Sequence, residues 1–240
     1  MANVTFVTSY VTGSSAVGNS VTLNNVKTTG TNPAAVAVHF YDDTGGAAGC
    51  CGRTCSYGGN NMSTAGNANK DGLNVGGYKM FYTGTPTAGT VNVVATKAST
   101  LQPAGGLIVA ILNNVDSAVP AGTISNKVGS TGAAATEASA QVVSTATGLI
   151  VDFLLQHVAA SSQVSVGNNQ TRRRLKHIAV AAGATLEGVL STRTGEVSGR
   201  THVNRVSANW LYQALPINNT AAAAGGGAKP PTLDVLGAGR

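Results

Sequence analysis

Two runs, "GGLIVAILNNV" at 105–115 and "GLIVDFLLQHV" at 148–158, constrain the fold more than any other stretch of this chain. Each contains Gly-Leu-Ile-Val and is apolar at odd and even positions alike. A strand that alternates apolar with polar residues has one wet face, whereas one that is apolar on both faces must be covered on both. The reading is a pair of central strands in a two-sheet sandwich, with a short helix as the alternative for apolar runs of this length.

Composition favours the strand reading. Charged residues are 10% of the chain, against roughly a quarter in an ordinary globular domain. Gly, Ala, Val, Thr, Asn and Ser dominate, so strong helix formers are few and turn punctuation is frequent. The expected class is all-β, a two-sheet antiparallel jelly-roll sandwich over 1–217 with an extended tail over 218–240. At 240 residues a sandwich can bury roughly 70–75% of its unfolded surface, so its core needs no metal or disulfide.

Short apolar or alternating runs bounded by turn residues predict strands near 3–8, 20–26, 34–41, 53–58, 78–83, 90–97, 106–114, 121–127, 139–144, 148–155, 171–179, 184–190 and 203–217. The segment "GYKMFYTGTPTAGTVNVVATKA" (77–98) reads as a hairpin around a Gly/Pro turn. In "YGG", Gly58 and Gly59 suit a turn that needs positive φ. No run approaches the eighteen or so apolar residues of a membrane span. The N-terminus lacks a basic segment followed by a long apolar one, so the expectation is cytosolic synthesis without a signal peptide.

Three cysteines, Cys50, Cys51 and Cys55, crowd into "GCCGRTCSYGG". Zinc needs four ligands, and a second pair is missing unless His39 joins from a neighbouring strand. A short disulfide from Cys50 or Cys51 to Cys55 meets the Cα separation that a bridge requires, and three free thiols are the other reading. Thiol catalysis needs a neighbouring base, and His39, His157, His177 and His202 are each isolated in sequence. Asp42-Asp43-Thr-Gly-Gly supplies part of a calcium site but reads first as a turn. Hydrolase and nucleotide-binding motifs are missing, and a glycosidase pair such as Asp152 with Glu187 or Glu196 has no sequence support. No catalytic residue, metal or cofactor is assigned.

The net charge of +6 is modest, and much of it lies in "RRRLKH" at 172–177. A regular strand there puts Arg172, Arg174 and Lys176 on one face and Arg173, Leu175 and His177 on the other. That is either a solvated sheet face or a contact with an acidic partner surface. Aromatics that would stack bases are scarce, which argues against nucleic acid. The tail, "NNTAAAAGGGAKPPTLDVLGAGR", joins an Ala/Gly leash to an apolar plug of Leu233, Val235 and Leu236, a form that suits docking on a neighbouring subunit.

The succession "NPAAVAVHFYDD" (32–43), "CSYGGNNMS" (55–63), "GYKMFYTGTPTAGTVNVVA" (77–95), "GGLIVAILNNVDSAVP" (105–120), "GLIVDFLL" (148–155), "GNNQTRR" (167–173) and "VSANWLYQALPI" (206–217) resembles a family of jelly-roll sandwiches. These are related in shape to concanavalin-like lectin folds and are found in phage virion and bacterial surface proteins. The resemblance implies a scaffold without a catalytic centre. The expected function is a virion structural protein, a phage capsid decoration or cement subunit, located in the virion. It would be homo-oligomeric, bound to the shell or to itself, with no nucleic-acid or membrane partner. The alternative is a tail-fibre or adhesin-type carbohydrate-binding module, although its loops are poor in the Trp and Tyr that stack sugars. The cysteine-rich loop departs from the family's pattern.

Overall fold

The computed structural model describes residues 2–14, 20–41, 54–68, 76–96, 105–118, 120–129, 137–158, 164–180, 185–195, 199–204 and 210–219. All regular structure among them is β-strand, and every pairing is antiparallel. The all-β sandwich expectation therefore holds.

The strands divide into two groups. The first comprises β1 (Thr5–Ser14), β2 (Ser20–Thr28), β3 (Ala34–Tyr41), β4 (Cys55–Tyr57), β5 (Asn60–Asn61), β6 (Ser63–Ala68), β7 (Gly77–Thr83), β8 (Gly89–Thr96) and β9 (Gly105–Asn113). They form a large sheet ordered β1-β9-β3-β7-β6 and a small one ordered β2-β8-β4-β5. The second group comprises β10 (Ser125–Gly129), β11 (Glu137–Val142), β12 (Leu149–Val158), β13 (Ser165–Val166), β14 (Gln170–Ala179), β15 (Thr185–Thr194), β16 (Gly199–Asn204) and β17 (Trp210–Ile217). These form a large sheet ordered β10-β17-β12-β15-β14 and a small one ordered β11-β16-β13.

The two groups have the same winding. With the two-residue β5 set aside, each has eight strands, and its large sheet runs first, eighth, third, sixth, fifth while its small sheet runs second, seventh, fourth. This is jelly-roll winding with the fifth strand carried over beside the sixth. The chain is thus two jelly rolls in tandem. They pack large sheet against large sheet in a reciprocal way: β14, the fifth strand of the second half, lies near β9, the eighth of the first, and β6 lies likewise near β17.

Three buried layers follow from this stack. The central one joins the halves and holds Phe40, Tyr78, Met80 and Ile108 from one large sheet against Phe153, Leu155, Leu186 and Leu211 from the other. Phe153 packs edge-on to Tyr78, with centroids 4.9 Å apart, and tilted to Phe40 at 5.5 Å. Glycines let the sheets come this close: a Cβ on Gly188 would meet Phe40 of the opposing sheet at 2.9 Å, and one on Gly106 would meet Ile178 of the opposing sheet at 3.0 Å. The outer layers lie between each large sheet and its own small sheet, around Tyr57, Phe81 and Val109 in the first half and Ile150, Leu154 and Tyr212 in the second. The strands β9 and β12 carry the two doubly apolar runs, and both are interior strands buried on both faces. What the sequence did not reveal is that the covers are two large sheets and two small ones.

Other expectations need correction. The 77–98 segment is no hairpin: β7 and β8 sit in different sheets, and the Gly/Pro turn carries the chain from one to the other. The span 203–217 is divided between β16 and β17, again in separate sheets. The polar strand β6, "STAGNA", was not anticipated, because its residues lack strand propensity and its place is set by pairing with β7. Gly58 and Gly59 do take positive φ, 58° and 88°.

The body of the fold extends past Ile217. Asn218 and Asn219 bond to the connection between the halves: Asp116 N–H donates to the Asn218 carbonyl, Asn218 N–H to the Pro120 carbonyl, and Val115 bridges Asn219. Buried Asn219 also donates to the Ala2 carbonyl. The N-terminus, the linker and the exit of the tail therefore meet at one corner.

Candidate functional site

The sequence's strongest charge feature becomes β14, the edge strand of the second large sheet. Its pairing with β15 is regular except for a bulge between Arg172 and Arg174. A bulge inserts an unpaired residue, here Arg173, and reverses the facing of everything beyond it. The expected common face of Arg172, Arg174 and Lys176 is thereby broken. Arg172 stands opposite Ser191, on the side of the small sheet, and its Nη1 donates to the Val164 carbonyl at 3.0 Å. Arg174 and Lys176 stand opposite Leu190 and Gly188 and turn toward β1. Arg174 Nε donates to the Ser9 carbonyl at 3.1 Å, and its Nη2 reaches the same oxygen. The Lys176 stem lies on Gly13, where a Cβ would meet its Cε at 2.7 Å.

Arg173 takes a different role. Its guanidinium lies over the Phe6 ring, 4.2 Å from the centroid, and its Nε donates to Thr192 Oγ1 at 2.7 Å. Partial burial lowers its pKa below the ordinary arginine value. Its carbonyl accepts from Ser9 Oγ at 3.3 Å. This arginine helps join the two halves at their β1–β14 seam.

Beneath β14, on the face covered by the small sheet, lie two fully buried carboxylates. Asp152 accepts hydrogen bonds from Ser191 Oγ and from Gln170 Nε2. Burial pushes its pKa up to about 6, while Ser191, Tyr212 and Gln170 hold it down. Glu187 accepts from Gln156 Nε2 at 2.8 Å and meets His177 Nε2 at 2.7 Å. Gln170 and His177 both belong to β14, so the buried carboxylates fasten the edge strand at two points. Asp152 is level with Ser191 and Glu187 with Gln156, four residues along the strand, or about 13 Å. That exceeds the roughly 5–9.5 Å separation of glycosidase carboxylate pairs. An Asp inside "LIVDFLLQHV" was the legible signal, since a buried carboxylate must be met by donors.

Cys55 opens β4 and is a free thiol, 1% exposed, in the outer layer of the first half. Burial pushes its pKa up to about 12, the reverse of what a nucleophile requires. Cys50 and Cys51 lie outside the described residues, and so do Asp42, Asp43 and Glu196. The tail residues Leu233, Val235 and Leu236 lie outside them as well. His39 is buried beside Tyr41, at 6.4 Å between ring centroids, and opposite Lys79. Among the described residues no group of three or more His, Cys, Asp or Glu is placed to hold a metal ion. No described helix is long and apolar enough to cross a membrane.

Fold and edge together define a class: a tandem jelly-roll protein with a basic edge strand in its second large sheet. No family model, curated protein or solved structure matches the chain.

Proposed function

We propose that this chain is a non-enzymatic structural component of a virion, a capsid decoration or cement subunit that binds the shell and copies of itself. The observation that carries the reading is the reciprocal packing of two jelly rolls through one continuous core, which joins the described strands of both halves into a single block. Rigid all-β blocks suit a load-bearing lattice, because their backbone polar groups are paired within sheets and their edges can be blunted. The polar groups described above serve this purpose, fastening an edge strand instead of lining a cleft.

The tail is the arm of the proposal. It leaves from the corner at Asn219, where the linker and N-terminus hold the chain in place. Thirteen residues, mostly Ala and Gly, separate Asn219 from Leu233 in the sequence, and a linker of that composition has a typical reach of about 20 Å. An apolar plug on such a leash can enter a groove on an adjacent subunit without a rigid interface.

The test has two parts. Mass spectrometry and imaging of the source particle should locate the chain at regular lattice positions. Sedimentation of the purified protein should show an oligomer that a chain ending at Asn219 cannot form. Specific glycan binding by a chain that never associates with particles would overturn the reading in favour of an adhesin-type module.

A further inference from the structure

The tandem fold contains its own control for the basic strand. By winding order β6 is the counterpart of β14: each is the fifth strand of its half, sits at the edge of a large sheet and pairs with the sixth. Each also carries a bulge, between Thr64 and Gly66 in β6 and between Arg172 and Arg174 in β14. The residue at the bulge is Ala65 in one and Arg173 in the other. The counterpart reads "STAGNA" and has no charge at all. An uncharged strand therefore satisfies this position in this architecture, and the cations of β14 exceed what the winding requires.

Arg173 is accounted for by Phe6 and Thr192. The surplus is Arg172, Arg174 and Lys176. Both arginines are exposed, and none of the three has a carboxylate partner among the described residues. Every carboxylate whose side chain is described is buried: Asp116, Asp152 and Glu187. Among the described residues, no carboxylate offsets the positive charge of this edge.

Its geometry indicates the kind of anion. Each arginine is held on one side by a backbone carbonyl, Val164 for Arg172 and Ser9 for Arg174. Part of the ordering cost is thus met before any partner arrives, and the remaining N–H groups form a fork suited to a carboxylate. The bulge sends Arg172 to one side of the strand and Arg174 with Lys176 to the other. A nucleic acid would favour cations in one stripe tracking its phosphates, with aromatics for stacking if it were single-stranded. Here Phe6 is covered by Arg173 and Trp210 is buried. Strand addition is also disfavoured, because bulges interrupt both β14 and the neighbouring edge strand β1.

We infer that the β14 edge, through Arg172, Arg174 and Lys176, is a docking surface for an acidic protein surface whose carboxylates straddle the strand. The inference rests on the proposed function only for taking the partner to be a protein.

The experiment uses the full chain and three probes of matched length: a twenty-residue polyglutamate peptide, a single-stranded oligonucleotide and a duplex. Binding is read by fluorescence anisotropy across a salt series. Wild type should bind polyglutamate more tightly than either nucleic acid. The triple variant Arg172→Gln, Arg174→Gln, Lys176→Gln should lose at least about tenfold in affinity and show a shallower salt dependence. Its melting temperature should stay near wild type, as the uncharged β6 implies. Lys27→Gln, at an exposed lysine on β2, should bind as wild type does. Arg172→Gln alone leaves the contacts with β1 in place and should give a partial loss.

Undiminished binding by the triple variant would overturn the inference, and so would tighter binding of either nucleic acid. A triple variant that unfolds would overturn it too, because the cations would then be structural. Polyglutamate binding through β14 by a chain absent from particles would leave this inference standing while removing the virion reading, and the reverse result would do the opposite.

Discussion

Asp152 gives the sharpest quantitative test of how the layers are held. Its carboxyl is fully buried between the second large sheet and its small one, and burial raises its pKa from 3.8 to about 6. A carboxyl whose folded pKa lies above its unfolded value binds its proton more tightly when folded, so the protonated form favours folding. That contribution is fully present below about pH 3.8 and is lost as pH rises through about 6. A shift of about two units corresponds to about 3 kcal/mol, of which about 2 kcal/mol should disappear between pH 4.5 and 7.5. Asp152→Asn removes the titration while keeping a side chain that can bond Ser191 and Gln170. Guanidinium unfolding of both proteins across that range should show wild type losing stability relative to the variant as pH rises. The His177–Glu187 pair is common to both and drops out of the difference. Parallel profiles, or a relative gain by wild type toward alkaline pH, would refute the reasoning.

Phe153→Ala should cost about 3–5 kcal/mol and leave a single denaturation transition, because Phe153 fills the layer shared by both halves; two separate transitions would show that the halves fold independently. Cys55, at 1% exposure and with its pKa near 12, should resist a thiol reagent in the native protein and react fully in denaturant. Finding it in a disulfide by mass spectrometry would contradict the buried thiol. Compared with a chain ending at Asn219, one ending at Ile217 should lose about 1–3 kcal/mol with the bonds of Asn218 and Asn219 to the linker and Ala2; equal melting of the two truncations would refute that.

Particular residues show where sequence reasoning reached and where it stopped. The strands at 34–41, 78–83 and 106–114 were readable almost to the residue, because Val, Ile, Phe and Tyr between Gly, Pro and Asn leave few other choices. The strand β6 was not readable, since "STAGNA" has no strand signal and pairs only because β7 offers an edge. The candidate site was half legible. The basic run was plain in "RRRLKH", but the facing of its side chains depended on one bulge that no local rule places. The donors to Asp152 come from β14 and β15, which nothing in the sequence brings together on β12.

The sequence by itself determined that the chain is all-β and that β9 and β12 are covered on both faces, because apolar side chains at every position leave no face that can meet water. It determined the positive turn at Gly58-Gly59 and the basic character of one strand. Only the tertiary structure decided that the covers are two jelly rolls packed on one another, that "GYKMFYT" and "GTVNVVAT" part into different sheets, and that Arg172 and Arg174 point apart. The physical reason is common to all three. Hydrophobic burial is non-directional and specifies that a face is covered without specifying by what, whereas strand partners, registers and bulges are fixed by hydrogen bonds between residues far apart in the chain. The likeness of the two halves lies in that hydrogen-bonded order, which is why β6 and β14 can hold the same place with no sequence in common.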